Sequence, residues 1–170
     1  MDILHIEHPI TFSKELTSVP LSVAFGNFDG LHAGHQEVIA KAIQLAKAHS
    51  YQSGVMTFHP HPKEVLGIID RVTYLTPLED KLKLLAELRL DKVFIIHFTQ
   101  QFARLKAEEF IQQYIVNLQV KQVVTGFDFC FGYKGEGNTT TLEEWSRKKQ
   151  DFQVHVTPSI DDQNQKISSS

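Results

Sequence analysis

One cysteine, Cys130, occurs in 170 residues. That scarcity excludes an internal disulfide and any zinc site built from several cysteines, and it fits a reducing compartment. Charge of one sign is also missing: 17 Lys and Arg stand against 20 Asp and Glu, a formal net charge of −3. No basic footprint for nucleic acid or an anionic membrane surface follows from such a balance. No apolar run approaches the roughly 18 residues of a membrane-spanning helix, and Met1-Asp2-Ile3-Leu4-His5 lacks the basic-then-apolar layout of a signal peptide. Internal repeats, low-complexity tracts and interdomain linkers are absent as well. Two phosphate fingerprints are missing, the Rossmann G-x-G-x-x-G and the P-loop G-x-x-x-x-G-K-[ST], which weakens ordinary dinucleotide binding and P-loop hydrolysis. These absences lead to the expectation of one cytoplasmic domain over residues 1–170, with a small-molecule partner and neither nucleic acid nor membrane.

What is present is an alternation of apolar runs and helical periodicities. Leu21–Phe25 reads as a buried strand; Val38, Ile39, Ala42, Leu45 and Ala46 give a helical stripe within 33–49; Gly54–Phe58 reads as the next strand. Thr76-Pro77 with Glu79 and Asp80 predicts a helix carrying Pro at its first position, followed by a strand at Val93–Ile96. A helix over Lys106–Val116, a strand at Gln122–Thr125, a helix capped by Thr140 with Glu143 and a strand at Phe152–Val156 complete the pattern. The fold class is therefore α/β, a Rossmann-like doubly wound, mostly parallel sheet with helices on both faces. Ligands bind such sheets beyond the carboxyl ends of the strands. The unusual residues fall there, at 26–35, 59–63, His97–Phe102 and 126–138.

The densest of these stretches is Gly26-Asn27-Phe28-Asp29-Gly30-Leu31-His32-Ala33-Gly34-His35. Glycine lets backbone approach phosphate oxygens, a helix start offers unpaired N–H groups and a favourable dipole, and His32 and His35 lie three apart on one helical face. On spacing alone the stretch also reads as a helix start capped by Asp29 with two solvated histidines. Met56-Thr-Phe58-His59-Pro60-His61-Pro62 reads as a strand end followed by a stiff, extended proline loop. His59 and His61 have the spacing of a metal pair but no identifiable third ligand. In Gly126-Phe-Asp128-Phe-Cys-Phe-Gly132-Tyr-Lys-Gly-Glu-Gly-Asn138 the glycines rule out a regular strand beyond Phe131, and any single ring can equally be core.

Gly26-x-Phe28-Asp29-x-x-His32-x-Gly34-His35 resembles the G-x-F-D-x-x-H-x-G-H signature of the HIGH-type nucleotidyltransferases. Phe58-His59-Pro60-His61-Pro62 is similar to the T-F-x-P-H-P loop of bacterial FAD synthetases, and Gly126–Gly137 to their G-x-D-F-x-F-G-x-x-x-x-G segment. Lys166-Ile-Ser168-Ser169-Ser170 resembles K-I-S-S-T/S-x-I-R up to its last serine, without the arginine that follows in that signature. The resemblance implies the nucleotidyltransferase fold and the FMN adenylyltransferase module of a bifunctional riboflavin kinase/FAD synthetase, with the kinase module outside this chain and covalently joined in a full-length parent. By the same resemblance His32 and His35 are catalytic. Gly26, Asn27, Phe28, Asp29, Gly34, Ser168, Ser169 and Ser170 bind ATP, and Phe58, Pro60, His61, Pro62 and Asp128 bind the flavin. Mg²⁺ is expected through the ATP phosphates, with no protein metal site. Two alternatives remain at this level: transfer to another phosphate acceptor such as phosphopantetheine, nicotinamide mononucleotide or a sugar-alcohol phosphate, and a nucleotide- or flavin-binding module with little turnover.

Overall fold

The computed structural model describes residues 1–12, 18–29, 33–67 and 77–158. Six strands form one sheet: β1 (Asp2–Ile6), β2 (Leu21–Phe25), β3 (Gln52–His59), β4 (Lys92–His97), β5 (Val120–Gly126) and β6 (Gln153–Thr157). Their order is β1-β4-β3-β2-β5-β6 and every pairing is parallel. Chain order reverses direction between β2 and β5, which makes the crevice beyond those two strands the topological switch point where α/β sheets bind ligands.

The sequence builds this sheet by burying both of its faces. β2 has all five residues buried, and six of the eight residues of β3 are buried, as in an interior parallel strand covered on both faces, with Ser22, Ser53 and Thr57 the polar exceptions. Alternation divides the core in two. Ala24, Val55, Val93, Ile95 and Val124 pack with Val38, Ile39 and Ala42 of helix α1 (Ala33–His49) on one face. Val23, Phe25, Met56, Phe94, Ile96 and Val123 pack with Phe110, Ile111, Tyr114 and Leu142 on the other. The remaining helices are α2 (Pro62–Val65), α3 (Leu78–Glu87), α4 (Gln100–Ala103), α5 (Ala107–Ile111) and α6 (Thr139–Lys149). No helix among the described residues is long and apolar enough to cross a membrane.

Four local expectations are corrected. Pro77 is the residue before α3 rather than its first residue, its carbonyl accepting from the Lys81 N–H at 2.9 Å; lacking an N–H of its own, proline fits either position. α6 is capped by Asn138, not by Thr140 with Glu143: the Asn138 side chain accepts from the Thr141 N–H at 3.1 Å, and the Asn138 N–H donates to Thr141 Oγ1 at 3.2 Å. Asparagine outranks threonine at this position. The single helix expected over Lys106–Val116 is α5 running into a π-helical segment, Gln112–Val116, which brings the Tyr114 hydroxyl within 2.9 Å of His8 Nδ1. Pro62 does not extend the loop after β3 but starts α2; its fixed φ suits a helix start as well as an extended chain.

At the β5–β6 edge His155 Nε2 lies 2.7 Å from Gln122 Oε1, and burial, then Lys41 and His49, hold this imidazole below its ordinary value of 6.5. The unfolded chain therefore binds more protons than the fold just below pH 6.5, so stability is complete above that pH and falls on acidification. Thermal unfolding followed between pH 7.5 and 5.5 should show a falling midpoint, with a shallower fall in His155→Gln; an unchanged slope in the variant would refute this account.

Candidate active site

The four segments singled out in the sequence emerge on one rim because each follows a parallel strand: 26–29 after β2, 60–61 after β3 leading into α2, 98–99 after β4 leading into α4, and 127–138 after β5. Backbone hydrogen bonds tie the first residue beyond β2 and beyond β4 to β3. The Gly26 N–H donates to the Met56 carbonyl at 3.1 Å, and the Phe98 N–H to the His59 carbonyl at 3.1 Å.

The turn after β2 is shaped by its phenylalanine. Phe28 has φ +53° and a buried ring in the core beneath α1. That left-handed conformation is uncommon for a bulky residue and concentrates at functional turns. The ring folds back over Gly26, where a Cβ would stand 3.1 Å from it, a separation only glycine meets without displacement. With its ring turned inward, Phe28 leaves backbone rather than side chain at the rim. The ring also meets the His35 imidazole edge-on, with centroids 5.5 Å apart and planes at 87°. Gly34 and His35 lie in the first turn of the 17-residue α1, so its N-terminal dipole points at this turn. His32, Ser168, Ser169 and Ser170 lie outside the described residues.

A residue that sequence reasoning missed lies below the turn. Lys81 of α3 is only 6% exposed, and its Nζ donates to the Asn27 carbonyl at 2.9 Å and to Thr57 Oγ1 at 3.3 Å. Thr57 Oγ1 itself donates to the same carbonyl at 2.9 Å. Burial lowers the Lys81 pKa below its usual value, and the Asp29 carboxylate opposes that shift. The available signal was a lysine on the apolar stripe of α3, four residues before buried Leu85; a lysine there is ordinarily read as solvated, since lysines are rarely buried unless paired.

Beyond β3, Pro60 follows a cis peptide after His59, and His61 and Pro62 are half-buried; beyond β5, Asp128 is exposed. Phe58 is buried, its ring against Phe98, Phe102 and Phe110, so it supports the loop from beneath. Phe129 and Phe131 stack in the same cluster with centroids 5.6 Å apart. Phe127 is 51% exposed at the rim. The lone Cys130 is exposed and in no disulfide. No group of three ligating His, Cys, Asp or Glu side chains occurs among the described residues.

Residues 14–170 match the sequence family described as FAD synthetase. A protein of Listeria monocytogenes named bifunctional riboflavin kinase/FMN adenylyltransferase is 42% identical over 99% of this chain and 53% of its own length. A protein of the same name from Bacillus subtilis is 39% identical over 100% of this chain and 53% of its own. The chain thus spans about half the length of these curated relatives. Among solved structures, one titled macrolide-efflux protein from Streptococcus pneumoniae superposes with a TM-score of 0.75 at 29% identity, over 92% of this chain and 50% of that one.

Proposed function

Because the chain belongs to the FAD synthetase family, an enzyme family, we propose that it transfers the adenylyl group of ATP to FMN, giving FAD and pyrophosphate. The observation that carries this reading is the placement of Gly26–Asp29 at the carboxyl end of β2, beside the switch point, and of Gly34 and His35 in the first turn of α1, with the proline segment after β3 and the Asp128 loop after β5 on the same rim.

An FMN phosphate oxygen attacks the α-phosphorus of ATP, a new P–O bond forms, and the bond to the β-phosphate oxygen breaks with pyrophosphate leaving. A phosphomonoester with a second pKa near 6 is largely deprotonated at pH 7, so the reaction asks for no general base. It asks for alignment of two polyanions and for donors aimed at the charge that builds on the α-phosphate and the leaving group. His32 and His35, the Phe28 backbone, the start of α1 and the serines 168–170 are assigned those roles. Asp128 and the loop 58–62 are assigned the flavin. Mg²⁺ ordinarily keeps water ligands and binds substrate phosphates with one or two carboxylates. The donor set at this rim, with Asp29 as a carboxylate of the turn itself, fits an ion carried by ATP, which would supply charge neutralisation.

Incubation with ATP, Mg²⁺ and each acceptor in turn tests the assignment. FAD and pyrophosphate are expected from FMN, and no comparable product from phosphopantetheine, nicotinamide mononucleotide or a sugar-alcohol phosphate. Product from one of these with none from FMN rejects the acceptor; tight FMN and ATP binding without pyrophosphate release rejects turnover. With riboflavin in place of FMN, these 170 residues are expected to form no FMN, because phosphorylation of riboflavin is assigned to the other module of such proteins.

A further inference from the structure

Lys81 is a buried ammonium with two neutral oxygen acceptors, the Asn27 carbonyl at 2.9 Å and Thr57 Oγ1 at 3.3 Å. A charge in that position is costly to bury; two hydrogen bonds to neutral groups and the Asp29 carboxylate offset part of that cost, and burial still dominates. A structural strut could be made with a neutral donor. The location gives the charge a different use. Asn27 and Phe28 are joined by a trans peptide, since the cis bonds among the described residues are His8–Pro9 and His59–Pro60. In a trans peptide the C=O and the following N–H point in opposite directions. Drawing the Asn27 carbonyl inward to Lys81 and Thr57 therefore turns the Phe28 N–H to the outer side of the turn. Phe28 is then kept at φ +53° by its ring, packed under Gly26, and the turn becomes a donor surface with a fixed cation behind it.

We propose that Lys81, backed by Thr57, is a positioning residue for the triphosphate: it clamps the Asn27 carbonyl from beneath, presents the Phe28 N–H outward and holds positive charge behind the turn. The identity of the anion rests on the adenylyl-transfer reading; the clamp itself rests on the hydrogen bonds. Asp29, a residue of the same turn, acts electrostatically on Lys81, which ties the acid of the signature to this lysine.

Binding measured apart from turnover tests the clamp. α,β-Methylene-ATP is titrated calorimetrically into the wild-type chain and into Lys81→Met, Thr57→Val and the double variant, alongside FMN titrations and steady-state FAD synthesis. Methionine keeps the apolar stem and removes the charge. Lys81→Met is expected to weaken the ATP analogue about tenfold or more and to lower kcat/KM for ATP by about 10²-fold, the scale of one preorganised donor, with FMN affinity unchanged. Thr57→Val acts in the same direction by a smaller factor. The double variant loses little beyond Lys81→Met, because both side chains act through one carbonyl.

Wild-type affinity for the analogue in a folded Lys81→Met protein overturns the proposal. So does equal weakening of ATP and FMN with a large fall in melting temperature, the pattern of a lysine that only supports the fold. Should Lys81→Met fail to fold, Lys81→Arg and Thr57→Val decide: undiminished analogue affinity in Thr57→Val is a refutation, and affinity weakened there but held to within a few-fold in the charge-keeping Lys81→Arg is support. Analogue binding without FAD synthesis removes the acceptor assignment and leaves the clamp standing, whereas no analogue binding by the wild-type chain removes both.

Discussion

His35→Ala is expected to cut FAD formation by about 10²-fold or more while leaving the protein folded. His35 is the third residue of α1, and its ring is held edge-on against the buried Phe28 ring at 5.5 Å. In the role proposed for it, a donor fixed by packing would need no reorganisation as charge develops on the triphosphate, and alanine would remove this preorganisation. The structural cost is smaller. One ring contact of this kind is worth about 1 kcal/mol, a fall of roughly 2–4 °C in the melting temperature of a chain this long. His32→Ala, at the other histidine of the signature, is expected to give a loss of the same order. Pyrophosphate release and FAD fluorescence follow the rate, and circular dichroism follows the fold. Wild-type rates in either variant would exclude that histidine from catalysis.

The separation between rate and stability reflects which parts of this molecule the sequence makes readable. The inner strands β2 to β5 announce themselves because each is largely buried and carries a short apolar run, Val23–Phe25, Val55-Met56, Val93–Ile96 and Val123-Val124. β1 does not. It is an edge strand with Asp2, Ile3 and His5 exposed, and an exposed strand of mixed polarity carries no periodicity to distinguish it from a loop. The π-helical turn around Tyr114 is equally silent, since its residues satisfy an ordinary helical pattern and only the placement of the hydroxyl near His8 requires the extra residue in the turn.

At the site, the motif loops could be located because glycine, proline and histidine at fixed spacing constrain backbone. Lys81 could not, because its partner is a main-chain carbonyl 54 positions away, and a carbonyl has no sequence signature. The rings divide similarly: Phe127 and Phe129 are two residues apart, yet one is exposed at the rim and the other is core. That division follows from how the chain leaves β5, in a turn rather than a continued strand.

The course of that exit depends on Gly132, and Gly132→Ala is expected to be strongly destabilising. Gly132 has φ +80° and ψ −179°, a region of backbone space open essentially to glycine alone, costing another residue about 1–3 kcal/mol. Space is closed as well. A Cβ there would lie 2.8 Å from the Ala107 nitrogen and 2.9 Å from its Cα, atoms of the α5 backbone that no rotamer change can move aside. The contact is also a polar one, because the Ala107 N–H donates to Glu136 Oε1 at 2.9 Å across the same junction, so displacing the loop separates a helix-start donor from its acceptor. Overpacking of this kind adds about 1–3 kcal/mol, for a total of roughly 3 kcal/mol or more, which corresponds to a melting temperature lower by about 6–12 °C. The loop carries Phe129 and Phe131 into the core and Asp128 to the rim. With the flavin assigned to this loop and ATP to the turn after β2, FMN affinity should therefore fall in Gly132→Ala while affinity for an ATP analogue falls less. Urea unfolding with parallel ligand titrations measures both, and a variant with wild-type stability would show that the Gly132–Ala107 junction is not the constraint described.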